Sequence, residues 1–293
     1  FDSALVATGP DARVSLSGPL LKALNANLTV PFSVLGLHNG ARLVSTSNDP
    51  LLWLQGGTHE LATRTGNSIF HFWGTEAVTD AQTGVEVGTT PSVSHKGVLL
   101  EASGGATIST QRVLKVDTAL LEATMPVINL LGALNGATSL TTEQSTIDLI
   151  KSKLTSVGPV IALDKGLINV KNGPLINITS GSQLITLGDL IKMANQSRIN
   201  VYNGPLISVA GAGSVLDVGG ALVNFGGSGG NKIVVNNSIK PTATMSGLAV
   251  SATGGGNISI GGTAVKNPEL GTISVTGSLI QATNGGSVTI KGK

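Results

Sequence analysis

Apolar and polar residues alternate in short segments along this chain, and Gly-Pro or Asn-Gly pairs separate the segments. Residues 198–209 read R-I-N-V-Y-N-G-P-L-I-S-V, and residues 167–178 read L-I-N-V-K-N-G-P-L-I-N-I. Residues 13–21 and 153–163 are shorter versions of the same phrase. Alternation predicts half-buried strands. Proline lacks a backbone N–H, so it belongs at a bend or at the start of a strand. Each copy therefore predicts a strand, a corner and a second strand.

The spacing of these copies predicts that they stack as coils. Pro19 and Pro50 are 31 residues apart, and so are Pro174 and Pro205, whereas Pro159 lies only 15 residues before Pro174. A repeat of this length is typical of solenoids, in which each coil packs on its neighbours. From residue 167 onward we interpret each coil as three short strands.

The regular coils also predict an inside and an outside. Alternate residues face inward along a strand, which here selects Ile199, Val201, Leu206 and either Ile207 or Val209. Asn172 and Asn203 occupy equivalent corners and are expected to stack on one another between coils. The predicted fold is therefore an all-β parallel β-helix. An antiparallel β-sandwich is the alternative, because short strands with glycine turns also suit that fold.

Residues 116–156 depart from this pattern and predict a short helical or irregular insertion. Thr142 is placed to cap a helix that begins near Glu143, with one apolar side formed by Ile147, Leu149, Ile150 and Leu154. A domain boundary is the other interpretation, but no linker is apparent. We therefore expect one solenoid body over residues 1–293, with its most regular coils in residues 157–293.

Residues 58–90 form a second departure, because they contain the aromatic segment S-I-F-H-F-W at residues 68–73. Together with the nearby tryptophan, this segment holds half of the aromatic residues of the chain, namely Trp53, Phe70, Phe72 and Trp73. One interpretation is a strand buried under a loop. The other is a contact patch for a second subunit, since aromatic residues are enriched at interfaces.

The composition narrows the classes of partner. Of the 293 residues, 41% are hydrophobic and 12% are charged, against about 25% charged in an average domain. The net charge is only +2, and no basic patch with interleaved aromatics occurs, which disfavours nucleic acid. No apolar run reaches the roughly 18 residues of a membrane helix. The absence of cysteine, and a first residue that is Phe1 and not methionine, lead us to expect a processed, secreted or cell-surface protein.

Candidate chemistry is sparse. Asp164, Asp189 and Asp217 fall on successive coils and would be the centre of a polysaccharide-active site, which needs paired carboxylates. None of the four histidines (His38, His59, His71 and His95) has a partner at metal-ligand spacing. The glycine-rich segment 226–232 lacks the G-K-[ST] of a phosphate loop. We therefore expect no enzyme activity, no cofactor and no metal.

Five Asn-x-Ser/Thr sequences are possible glycan acceptors, at Asn27, Asn177, Asn195, Asn236 and Asn257. In a chain so rich in serine, threonine and asparagine they are weak signals. Glycans at these positions stay a minor hypothesis.

The strand–corner–strand repeat resembles the parallel β-helix and β-solenoid proteins of secreted adhesins and extracellular fibres, at the level of architecture. This resemblance implies a surface location and a binding or structural role. A strand at residues 287–290 runs almost to the last residue, and an uncapped edge invites another chain, although Lys291 and Lys293 oppose pairing. We therefore expect a homopolymer that assembles head to tail into a filament. A monomeric adhesin or passenger fragment is the alternative. The predicted assembly residues are Phe1, Ser287, Val288, Thr289 and Ile290, with Trp53, Phe70, Phe72 and Trp73.

Overall fold

Four short strands, joined by corners, make up each coil of this protein. The computed structural model describes residues 3–75, 78–79, 86–87, 90–133, 136–235, 250–275 and 280–291. Over these residues the chain is a parallel β-solenoid of about eight turns with four parallel sheets, here named A, B, C and D in the order in which a coil visits them. The predicted parallel β-helix is confirmed, and the antiparallel sandwich is wrong.

The strands of the first four coils have the following bounds. The first two coils contain β1 (Ser3–Thr8), β2 (Arg13–Leu16), β3 (Leu21–Leu24), β4 (Leu28–Val30), β5 (Ser33–His38), β6 (Arg42–Ser45), β7 (Leu52–Gln55) and β8 (Thr58–Leu61). The next two contain β9 (Phe70–Trp73), β10 (Val78–Thr79), β11 (Glu86–Val87), β12 (Ser92–His95), β13 (Leu100–Ser103), β14 (Thr107–Thr110), β15 (Leu114–Asp117), β16 (Leu120–Ala123), β17 (Ile128–Leu131) and β18 (Thr138–Thr142). Of these, β10 and β11 pair with each other in antiparallel fashion, outside the four sheets.

The remaining coils repeat the same four-sided path. They contain β19 (Ile147–Ile150), β20 (Lys153–Ser156), β21 (Ile161–Asp164), β22 (Gly166–Val170), β23 (Ile176–Thr179), β24 (Gln183–Thr186), β25 (Ile191–Ala194), β26 (Arg198–Val201), β27 (Ile207–Ala210), β28 (Val215–Val218), β29 (Val223–Gly226) and β30 (Asn231–Val235). The last are β31 (Val250–Thr253), β32 (Asn257–Ile260), β33 (Val265–Lys266), β34 (Gly271–Val275), β35 (Ile280–Ala282) and β36 (Ser287–Ile290), with a 3₁₀ turn at Pro268–Leu270.

Inward side chains form columns that run along the solenoid. In sheet A, strand register stacks one column from Leu35 through Phe70, Leu114, Ile147, Ile176 and Ile207 to Val250, all fully buried. The predicted inward residues Ile199, Val201, Leu206 and Val209 are all at most 1% exposed. The same alternation in successive coils places inward apolar residues on inward apolar residues. A single apolar core therefore fills the interior.

Each complete coil in the described residues has four strands, so the interpretation of three strands per coil is wrong. The uncounted strand is the one in sheet C, for example Ile191–Ala194 between Leu187 and Arg198. This segment lacks the Gly-Pro pair that precedes the sheet A strands at residues 173–174 and 204–205. Its inward residues Ile191 and Met193 are nevertheless fully buried and pair in register with Ile161 and Leu163.

The helix predicted within residues 116–156 is also wrong, because the described residues of this segment form coils from β15 to β20. The irregular part is limited to the link between β17 and β18, which contains an antiparallel bridge between Ala133 and Gly136. Ile147 and Leu149 point from their strand into the solenoid core, and Asp148 lies between them on the outer face. The hydroxyl of Thr142 lies 3.1 Å from that of Thr146 in a buried corner and caps no helix. Ile147, Ile150 and Leu154 lie at i, i+3 and i+7, which fits one face of a helix. Pairing with the coils on either side selects two strands instead.

Candidate functional site: the end coils and a polar groove

The terminal strand predicted from the sequence is present and forms an outer strand of sheet B. Ser287–Ile290 pairs in parallel with Asn257–Ile260, and the amide of Lys291 extends the pairing to the carbonyl of Ile260 at 2.8 Å. Val288 faces inward, whereas Ile290 is 41% exposed. Phe1 and Lys293 lie outside the described residues.

Both end coils leave part of the apolar core half-buried. Val14 is half-buried, but its register partner Leu43, one coil further in, is 1% exposed. At the other end Val288 is half-buried, while its partner Ile258 is fully buried. The partly buried apolar side chains packed on the core belong to the end coils, and they are Ala7, Ala12, Val14, Leu16, Leu20, Leu21, Ala23, Leu28, Val30, Val265, Leu270, Ile273, Val275 and Val288. Within the described residues, the inward side chains of the first and last coils are therefore less covered than those of the coils between them.

The aromatic contact patch is not supported, because its four residues do not share a surface. Phe70 and Phe72 are fully buried in the sheet A core, which agrees with the alternative prediction of a buried strand. Trp53 lies on sheet C, with the Lys22 ammonium 3.8 Å from its ring centroid. Trp73 ends a strand of sheet A and makes an edge contact with His38. Alternation along the strand sends the two phenylalanines inward, away from any partner.

The three aspartates proposed for a polysaccharide-active site lie on different parts of the coil. Asp164 is on sheet C and accepts a hydrogen bond from Asn195 at 2.7 Å. Asp189 lies in the corner between sheets B and C, where it accepts from the Ala221 amide and from Asn224. Asp217 is on sheet B. The first two carboxylates thus hold neighbouring coils together.

The four histidines are all buried, and burial lowers the pKa values of three of them. The pKa of His71 is lowered to about 3, mainly by burial and further by the positive charges of Lys115, His38 and Arg112. Burial also lowers the pKa values of His38 and His95. In the described part of the chain, no group of three His, Asp or Glu side chains could hold a metal ion.

A groove opens at the corner that joins sheet D of one coil to sheet A of the next, called here the D–A corner. The corner has different lengths in successive coils, and its segments are residues 31–32, 62–69, 111–113, 143–146, 171–175 and 202–206. The short segments 111–113 and 143–146 are therefore flanked by longer ones on both sides. They form a groove of about 570 Å³, which is lined by Gln111, Glu143, Gln144, Ser145, Asn172 and Gly173.

Two ion pairs support this groove. Nε of Arg112 lies 3.5 Å from the Asp148 carboxylate, and its guanidinium also donates to Gln144. Burial lowers the pKa of Arg112, and Asp148 opposes that shift. Beside the groove, the Lys171 ammonium lies 2.6 Å from the carboxylate of the lining residue Glu143, and both side chains are about half exposed. Two positive and two negative charges therefore cancel around the groove.

Side-chain amides link the coils along the D–A corner. Nε2 of Gln111 donates to the Thr63 carbonyl at 3.0 Å, and Nδ2 of Asn172 donates to the Glu143 carbonyl at 3.1 Å. The predicted stacking of Asn172 and Asn203 is confirmed, with Nδ2 of Asn203 3.2 Å from Oδ1 of Asn172. The left-handed backbone falls on the next residue, Gly173, at a φ of 89°. Sequence reasoning identified this asparagine pair but missed the groove beside it.

The asparagines of the glycan-acceptor sequences also take part in contacts between coils. Oδ1 of Asn27 accepts from the Thr58 amide, and Nδ2 of Asn177 donates to Asp148. Asn195 donates to Asp164, and Asn257 accepts from Ser287. Asn236 lies outside the described residues.

No protein-family model, curated protein or solved structure gives a significant match to this chain. No helix in the described ranges has the length and hydrophobicity of a membrane span. The interpretation of the two surfaces above therefore depends on their geometry and chemistry.

Proposed function

We propose that this protein is a structural subunit of an extracellular or cell-surface filament, in which copies stack end to end. The observation that supports the proposal is the partial burial of inward residues in the first and last described coils, such as Val14 and Val288, whose partners one coil further in are buried. A further coil of the same cross-section would cover either end. The opposite end of a second copy has such a coil.

The joint would use the interactions that already hold the coils together. Backbone pairing across it would contribute about 0.5–1.5 kcal/mol for each hydrogen bond. Burial of apolar side chains would add about 25 cal/mol per Å² of covered surface. Because one end face meets the opposite end of the next copy, the contact is heterologous and propagates as a filament.

Substitutions at single ends test this proposal. Val14→Lys places a charge on one end face, and Val288→Lys places one on the other. We expect each variant alone to remain monomeric in sedimentation and electron microscopy while the unmodified protein forms filaments at high concentration. A mixture of the two variants retains one intact joint, so it should yield dimers that do not elongate.

Ser94→Lys is the matched control, because it adds the same charge at an exposed position of the same sheet, away from the ends. It should leave filaments intact. Filaments that survive both end substitutions would place the joint on the side wall, where Leu120, Met125, Val157 and Leu187 are exposed. An unmodified protein that stays monomeric at every concentration contradicts the proposal and favours a monomeric surface protein that binds a ligand. Fractionation of the source cells tests the extracellular location.

A further inference from the structure

The groove on the D–A corner is a recessed polar surface on the side of the solenoid, and it is separate from the proposed stacking faces. Its lining includes Gln111, Gln144, Ser145 and Asn172, which come from three successive coils. Apart from Gly173, every lining residue carries a side-chain hydroxyl, amide or carboxylate. Such a surface suits a ligand that both donates and accepts hydrogen bonds.

The amides of the groove use only part of their hydrogen-bonding capacity within the protein. A side-chain amide has two N–H donors and a carbonyl with two lone pairs. The amide of Gln111 donates once, to Thr63, and that of Gln144 accepts from Arg112. Asn172 donates to the Glu143 carbonyl and accepts from Asn203. Internal bonds thus hold each amide by one or two contacts, and the rest of its hydrogen-bonding capacity is left for other partners.

The electrostatics select an uncharged ligand. Arg112, which would attract an anion, is mostly buried and already contacts Asp148 and Gln144. Lys171 would also attract an anion, but it is paired with Glu143. An anion would have to compete with both carboxylates, and a cation would meet both basic groups.

We propose that this groove binds an uncharged carbohydrate chain that lies along the solenoid axis. Sugar hydroxyls both donate and accept, and they match side chains that do the same. Successive coils present equivalent groups at the strand spacing of about 4.8 Å, so a polymer with a short repeat would meet Gln111, Gln144 and Asn172 in turn. The site stands independently of filament assembly.

Calorimetric titration with neutral tetrasaccharides tests the site. The probes are cellotetraose, laminaritetraose, xylotetraose and mannotetraose, with tetragalacturonic acid as the charged counterpart. We expect at least one neutral probe to bind at millimolar concentration or below. Asn172→Leu and Gln111→Leu should each weaken that binding about tenfold, which corresponds to the loss of one or two hydrogen bonds.

Gln55→Leu is the matched control, since this exposed glutamine lies at the end of a sheet C strand and does not line the groove. It should bind the neutral probe like the unmodified protein. Circular dichroism and melting temperature verify that all three variants fold. Glu143→Gln leaves the charge of Lys171 uncompensated and should raise the affinity for tetragalacturonic acid.

Three results would overturn the proposal. They are the failure of every neutral probe to bind, binding that Asn172→Leu and Gln111→Leu do not weaken, and a preference of the unmodified protein for tetragalacturonic acid. None of these results bears on filament formation, so the two proposals fail separately.

Discussion

Replacement of Ser182 by alanine should destabilise this protein far more than the loss of one surface hydroxyl. Ser182 is fully buried in the corner between sheets A and B. Its hydroxyl donates to the Thr179 carbonyl at 2.6 Å and accepts from the Ser152 amide of the preceding coil at 3.1 Å. Ser152 and Ser214 do the same one coil to either side, where they accept from the amides of Ala119 and Gly181.

The expected magnitude follows from the group that loses its partner. The Thr179 carbonyl keeps a bond from the Ser182 amide at 3.1 Å, so it remains satisfied. The Ser152 amide loses the hydroxyl that accepts from it, and Ser152 is itself buried. A buried donor without a partner costs about 1–3 kcal/mol, which is a change of about 5-fold to 150-fold in the unfolding equilibrium.

Two measurements check this expectation. Urea denaturation gives the free energy of unfolding, but a long repeat array can unfold in stages. Hydrogen exchange read by mass spectrometry at the peptide containing Ser152 gives the local effect. Exchange there should accelerate in Ser182→Ala, with smaller changes in coils further away.

Ser94→Ala is the control, because it removes an exposed hydroxyl on sheet B. Such surface changes are usually within about 0.5 kcal/mol. If Ser182→Ala matched Ser94→Ala both in denaturation and in exchange at Ser152, the serine column would not stabilise the corner.

Two further predictions concern packing and pH. Gly219→Ala should lower the free energy of unfolding by about 1–3 kcal/mol, because the added Cβ would lie 2.4 Å from the Leu187 carbonyl oxygen. Gly226→Ala is the control, since its added Cβ would have its nearest contact at 3.8 Å. It should lower the free energy of unfolding less in the same denaturation assay. Stability should also fall as pH drops from 6.5 towards 3, by up to about 1.4 kcal/mol per pH unit from His71 alone. The reason is that the pKa of His71 is lowered to about 3 in the folded protein, so that only the unfolded chain binds the proton. Melting curves from pH 6.5 to 5 should show a smaller slope for His71→Gln, and an unchanged slope would contradict the assignment.

The sequence by itself determined the type of fold and much of its interior. Alternation in segments such as residues 198–201 specifies which side chains face inward, because side chains on a strand point to opposite faces in turn. The Asn-Gly-Pro sequences at residues 172–174 and 203–205 specify equivalent corners. The local sequence pattern was therefore enough to predict strands and corners wherever a coil contains its own turn residues.

Only the tertiary structure decided the features that depend on register between coils. From residue 167 onward the strand of sheet C lacks a Gly-Pro marker. The segment 143–154 fits a helix as well as two strands until its neighbours pair with it. Serine is common throughout the chain, so the column of Ser152, Ser182 and Ser214 becomes visible only when coils are aligned. The groove on the D–A corner likewise arises from unequal corner lengths in stacked coils. Contacts between residues about 30 positions apart build each of these features, and no single segment contains that information.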